Sequence, residues 1–275
     1  MAMVSGHLHK MKVQLEEPVR YTLLLDEHEQ PLNNLVGSKI SLHFSGDIHC
    51  QACGRKTKKS YSQGFCYPCA QKLAQCDLCI MRPETCHHHK GTCREPQWGL
   101  DHCFQPHVVY LSNTSGLKVG ITRQEQIPTR WIDQGATQAL PMLMVGSRYH
   151  SGLLEVLFKE HVADRTDWRK MLKGNNNSMD MLAERERLLA ECAEGIVRVG
   201  EQFGRDSYRL MDDDVVNIDY PVKSYPEKVK SLNFDKTPEI NGTLMGIKGQ
   251  YLIFENGVLN IRKFGGYEAT FSYAD

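Results

Sequence analysis

No uninterrupted apolar run of eighteen residues occurs among the 275, so a transmembrane helix is not expected. The opening stretch "MAMVSGHLHKMKVQL" also lacks the long apolar core of a secretory leader, and the expected location is the cytoplasm. Net charge is missing as well, since 33 Lys and Arg balance 33 Asp and Glu. That excludes a chain that is basic throughout, but it hides an asymmetry. Residues 50–130 hold 11 Lys/Arg against 5 Asp/Glu, whereas residues 178–214 hold 5 against 10. A locally basic half permits a nucleic-acid partner, DNA or RNA, and no membrane partner is expected. Cysteine is nearly absent outside one segment. Nine of the ten lie between Cys50 and Cys103, and Cys192 stands alone. In a reducing compartment such clustering reads as metal ligation rather than disulfide bonding.

Within that segment "CQAC" and "CYPC" place Cys50, Cys53, Cys66 and Cys69 as two C-x-x-C knuckles separated by twelve residues. Two knuckles of this kind bring four thiolates around one tetrahedral zinc, and four thiolates leave no position for water, so the site should be structural. Between them "GRKTKKS" carries four cations and no acid, which makes Lys56, Lys58 and Lys59 candidate phosphate contacts or an ordinary solvated loop tip. The second cluster offers Cys76, Cys79, Cys86, Cys93 and Cys103 with several histidines. Cys76 and Cys79 read as a third knuckle, with two further ligands drawn from Cys86, Cys93 and Cys103. A second zinc is the favoured expectation; four cysteines could equally hold an iron–sulfur cluster.

The coarse organisation is α+β. Residues 1–49 read as a β segment that can pack with the C-terminal β region, and 50–107 as the zinc-knuckle or ribbon module. Residues 108–174 read as a small core of antiparallel strands with helices, 178–203 as one long helix, and 205–275 as a C-terminal β domain completing a small barrel. "SGLLEVLFKEHVAD" is the best amphipathic helix, with Glu155 at the edge of its apolar arc and His161 near the centre. "ENGV" between two apolar runs is a hairpin signal. Tyr251, Arg262, Lys263, Phe264 and Tyr267 could form a face for stacking and phosphate binding.

The pattern "VVYL…LKVGIT…TRW…E" over residues 108–174 resembles the GIY-YIG nuclease superfamily. The whole chain, through "CYPC", "GTCREP", "KVGITR", "RWIDQGA" and "GIKGQYL", is similar to an uncharacterised bacterial family of DUF2797 type. The nuclease resemblance implies a divalent-metal-dependent endonuclease cleaving a phosphodiester. Carried over by position, it gives Tyr110 in the first motif, Arg130 (or Arg123) as the phosphate ligand, and Glu155 as the ligand of Mg or Mn. Lys118 stands where the nuclease pattern has its second tyrosine, and His161 follows Glu155. The chemistry asks for these types: a hard carboxylate oxygen for the metal, cations for the phosphate, and a hydroxyl or imidazole for proton transfer. Each has an ordinary reading too. Tyr110 could fill a strand core, Arg130 could pair with Asp133, and Glu155 with Lys159. The alternative function is a non-catalytic nucleic-acid-binding or protein-interaction adaptor on a degenerate nuclease core.

Overall fold

A computed structural model describes residues 2–174, 177–204 and 207–273. The largest sheet joins the two ends of the chain. Its strands β1 (Ala2–His7), β15 (Tyr267–Tyr273), β5 (Lys39–His49), β12 (Glu239–Lys248), β13 (Tyr251–Phe254) and β14 (Gly257–Asn260) lie side by side in that order, with β6 (Lys56–Thr57) paired to β5. The expected barrel is corrected to an open sheet, because no pairing joins β1 to β14 among the described residues. The hairpin expected at "ENGV" forms, with Phe254 opposite Gly257. A small sheet of β2 (Lys12–Gln14), β3 (Arg20–Leu25) and β4 (His28–Pro31) stands beside it.

The middle sheet carries the functional interest. Strand β7 (His107–Asn113) lies between β8 (Leu117–Arg123) and β9 (Gln138–Val145), all antiparallel, and β10 (Tyr208–Leu210) and β11 (Val216–Asn217) pair with the outer side of β9. All seven residues of β7 are buried, because both faces of this sheet are covered. One face gives Val108, Tyr110 and Ala139 to the core shared with the large sheet, together with Trp131 and Ile132 of helix α4 (Thr129–Asp133). The opposite face gives Val109, Leu111 and Leu143 to a second core. Helices α5 (Arg148–Phe158), α7 (Met181–Glu191) and α8 (Ala193–Phe203) close that core with Leu154, Phe158, Leu188 and Ile196. Alternating side chains on one buried strand thus tie two layers together.

The single helix expected over 178–203 is two helices. It breaks at Cys192, and α8 turns onto α5 so closely that a Cβ on Gly195 would lie 2.5 Å from a Leu157 methyl. Part of the boundary expected at 173–178 falls on residues 175 and 176, outside those described. The remaining helices are α1 (Tyr67–Lys72), α2 (Leu78–Met81) and α3 (Pro96–Cys103) in the cysteine-rich module, and α6 (Trp168–Met171).

Candidate functional site

Strand β5 runs directly into the first knuckle, and β6 returns along it, so the module grows out of the large sheet. Cys50, Cys53, Cys66 and Cys69 draw all four sulfurs within 4.8 Å of one another. A zinc–sulfur bond of about 2.3 Å gives a tetrahedron with edges of about 3.8 Å. The Cys53 and Cys66 sulfurs are 3.8 Å apart, so these residues fit a single zinc ion. Burial pushes the Cys50 thiol up, but hydrogen bonds from the backbone of Cys66, Cys53 and Ala52 outweigh it and hold the group at about 6. Backbone N–H groups aimed at sulfur favour a thiolate, the form that binds metal.

Four of the second set of cysteines gather around one pocket. The neighbours that act on Cys76 include Ser62, Arg94, Cys50 and Glu95, and Cys76 does not line the pocket that holds the others. Cys79, Cys86, Cys93 and Cys103 line one partly open pocket of about 20 Å³ together with His87, His88, Trp98 and Phe104. Cys76 ends a 3-10 turn and Cys79 lies in the short helix α2 that follows it. On the wall of the same pocket Asp77, Cys79 and His87 come within 4.8 Å of one another, and Arg94 holds Asp77 at 2.8 Å.

The cysteine module is docked on α5. A Cβ on Gly152 would lie 2.6 Å from the Glu84 nitrogen, and Arg148, the first residue of the helix, donates to the Ile80 carbonyl. This contact fixes α5 between the module and the middle sheet, and with it Glu155.

Across the β7–β8 ladder Tyr110 faces Gly120 and Ser112 faces Lys118, so Tyr110 and Lys118 project from the same side. A Cβ at position 120 would lie 2.7 Å from Cζ and Oη of Tyr110; glycine is what lets the ring lie over β8. The Tyr110 hydroxyl donates to Gln134 Oε1 at 3.0 Å and is hydrogen-bonded to the Arg130 side chain. Burial pushes Tyr110 up to about 12, against the pull of Arg130. Burial also lowers Lys118 to about 8, with Arg130 adding to the fall while Glu155 and Asp164 oppose it. Glu155 is raised, first by burial and then by Asp164, while Lys118, Arg148 and Arg130 pull it down. Tyr110, Lys118, Arg130 and Glu155 thus act on one another electrostatically, with Arg148 and Asp164 at the margin. Arg262, from the turn after β14, lies near enough to Arg130 to be lowered by it, after burial. Sequence reasoning singled out neither Arg148 nor Arg262 for this site; nothing local in the sequence marks them.

The ordinary partners suggested by the sequence are not used. Asp133 pairs with Lys10 and accepts from Gln250 at 2.9 Å. Among the described residues, no ion pair within 4.0 Å joins Glu155 to Lys159 or to any other cation.

Other expected site residues lie elsewhere. His161 is not on the apolar arc of the helix, because α5 ends at Phe158 and the chain turns so that Ala163 can bridge to Lys118 of β8. It is exposed and faces Glu191 at 3.0 Å. Lys56 spends its charge on Asp47 at 2.6 Å, and Arg123 on Glu125 at 2.8 Å. Lys58 and Lys59 are exposed at the loop tip, Lys59 over the Tyr61 ring. The C-terminal stacking face is not open, since Phe264 and Tyr267 are buried and Tyr251 stacks on Trp168.

No helix among the described residues is long and apolar enough to cross a membrane. Residues 37–269 match a family described as a protein of unknown function, DUF2797. No curated protein and no solved structure matches the chain.

Proposed function

The chain belongs to the DUF2797 family, and from that premise we propose that it binds nucleic acid and cleaves a phosphodiester with a divalent metal, on a core of GIY-YIG type. The observation that carries this reading is the convergence of Tyr110, Lys118, Arg130 and Glu155 from two strands and two helices onto one locality. Lys118, Arg130 and Arg148 face Glu155 there, and among the described residues the Glu155 carboxylate has no ion pair within 4.0 Å. Such a locality favours a polyanion together with a hard metal ion.

The residues divide the work by exposure. Glu155 would hold Mg or Mn through its carboxylate. Arg130 would hold the phosphate, and Lys118, itself buried, would add positive charge behind it to offset the charge that grows on the phosphoryl oxygens. Tyr110 is fully buried, so its place is that of a positioning residue, fixing the Arg130 guanidinium through its hydroxyl. The metal, when bound, supplies Lewis acidity and a water of lowered pKa. The four-thiol cluster would hold one zinc that shapes the basic module, and the exposed Lys58 and Lys59 would meet phosphates further along the strand.

The burial of Tyr110 also favours a second reading, a binding protein without catalysis. One experiment separates the two. Purified protein is incubated with duplex, single-stranded and branched DNA and RNA, with and without Mg or Mn, alongside Glu155→Gln. Nuclease chemistry requires metal-dependent cleavage that Glu155→Gln abolishes while binding stays within about threefold. Binding by the wild type with no cleavage of any substrate leaves the adaptor reading standing and ends the catalytic one.

A further inference from the structure

Asp77, Cys79 and His87 meet at one wall of the partly open pocket in the cysteine-rich module. From their geometry we propose that they hold a second metal ion, a zinc bound by carboxylate oxygen, sulfur and imidazole nitrogen together. This is not the all-cysteine set expected from spacing. The inference goes beyond the nuclease reading and stands without it.

The ring of His87 carries the first argument. Its Nδ1 lies 2.8 Å from the Thr92 hydroxyl, and that hydroxyl donates its one proton to the His87 carbonyl at 3.3 Å. The Thr92 oxygen is left to accept, so Nδ1 carries the hydrogen of the neutral ring and Nε2 the lone pair. Nε2 faces an oxygen of Asp77 at 3.4 Å. Two lone pairs so placed repel each other unless a cation lies between them. A proton would draw such a charged pair in to about 2.8 Å. A zinc with bonds of about 2.1 Å instead sets its ligands about 3.4 Å apart, along the edge of a tetrahedron. The separation found is that edge, and the Cys79 sulfur joins the group within 4.8 Å.

Asp77 carries the second argument. It stands at the N-cap of α2, where an aspartate ordinarily accepts from a backbone N–H of the first turn. Among the described residues its side chain makes no such bond. The carboxylate is turned instead to His87 and to Arg94, whose Nε lies at 2.8 Å. Arg94 is itself anchored on the Ala70 and Leu73 carbonyls. Arg94 alone would satisfy Asp77, but it leaves the imidazole lone pair unanswered. With a metal present, Thr92 fixes the imidazole and Arg94 the carboxylate, the part that outer partners play around metal ligands.

The pocket supplies the remaining corner. All three residues line it, and about 20 Å³ is room for one water-sized ligand. Cys86, Cys93 and Cys103 line the same pocket, so the fourth ligand is one of these thiols or a water. Sulfur, imidazole and carboxylate together suit zinc, whereas magnesium demands oxygen alone.

The test is elemental analysis of the full-length protein after loosely held metal has been removed. About two zinc per chain are expected, one of them in the four-thiol cluster. His87→Gln and Asp77→Asn should each lose one zinc and keep the other. Cys76→Ser, outside the pocket, should keep both. X-ray absorption at the zinc edge of the wild type should show nitrogen and oxygen neighbours besides sulfur. One zinc per chain in the wild type overturns the proposal, as do neighbours that are sulfur alone. Retention of two zinc by His87→Gln or by Asp77→Asn overturns it as well. Should these variants fail to fold, the zinc count and absorption spectrum of the wild type still decide the matter.

Discussion

Gly120 is where the fold and the proposed chemistry touch most closely, and Gly120→Ala measures that contact. The new methyl would sit 2.7 Å from Cζ and Oη of Tyr110, well inside the 3.5 Å at which carbon atoms rest. The ring cannot swing away cheaply, because Tyr110 is fully buried and wedged against Trp131 with centroids 6.0 Å apart. Overpacking of this kind costs about 1–3 kcal/mol. Moving the hydroxyl off Gln134 adds about 1 kcal/mol. With a urea slope of about 3 kcal/mol/M, a loss of about 3 kcal/mol lowers the unfolding midpoint by about 1 M at unchanged slope. A double-mutant cycle assigns the cause. In a Tyr110→Leu background the clashing atoms are gone, and Gly120→Ala should cost less than about 1 kcal/mol. Equal penalties in the two backgrounds would refute the ring-over-glycine account. The cost would then lie in the strand backbone itself.

Two further predictions concern protons and metal. His107 is fully buried, with Nδ1 2.7 Å from the Gln105 carbonyl, and burial lowers it to about 4, Arg148 and Arg123 adding to the fall. The unfolded chain protonates this ring near pH 6.5, so its contribution is complete above that pH and is lost as pH falls towards 4. The loss is about 3 kcal/mol in total. Urea midpoints of His107→Gln, followed from neutral pH to about 4.5, should therefore fall less steeply than those of the wild type; parallel curves would mean the ring is protonated in the fold. For the zinc cluster, Cys66→Ser should lose one zinc per chain and open "GRKTKKS" to limited proteolysis, since the binding energy of a structural site is folding energy. Retention of zinc by that variant would remove Cys66 from the ligand set.

What the sequence disclosed, it disclosed through local pattern. Two evenly spaced knuckles named all four sulfurs of the first cluster, and the resemblance that joined Tyr110 with Lys118 requires them on one side of a hairpin, which is how the two strands pair. The failures share a physical origin. Leu182, Leu189 and Ile196 recur every seven residues through Cys192 whether or not the helix does, so a break imposed by packing against Leu157 leaves no trace in the pattern. Spacing names Cys76 and Cys79 as a knuckle but is silent on which of the later cysteines share a pocket with Cys79, since that depends on how the turns after α2 fold back. His161 had the right angular position for a helix that stops three residues earlier. Arg148 and Arg262 reach the site from elements whose approach depends on tertiary contacts alone.

The interleaving of β5 between β12 and β15 bears on the order of assembly. Leu42 pairs on one side with Ile240 and on the other with Phe271. During synthesis β5 therefore emerges long before either of these neighbours exists, and apart from the two residues that β6 covers its edges stay bare while the cysteine module and the middle sheet are made. Non-local pairing of this kind is slow, and bare strand edges invite pairing with other chains. A nascent chain halted before Glu239 would carry such a strand with neither partner, beside a knuckle that closes only with metal. The large sheet is then the last part to form, and metal supply and the completion of translation become joint conditions for escaping aggregation.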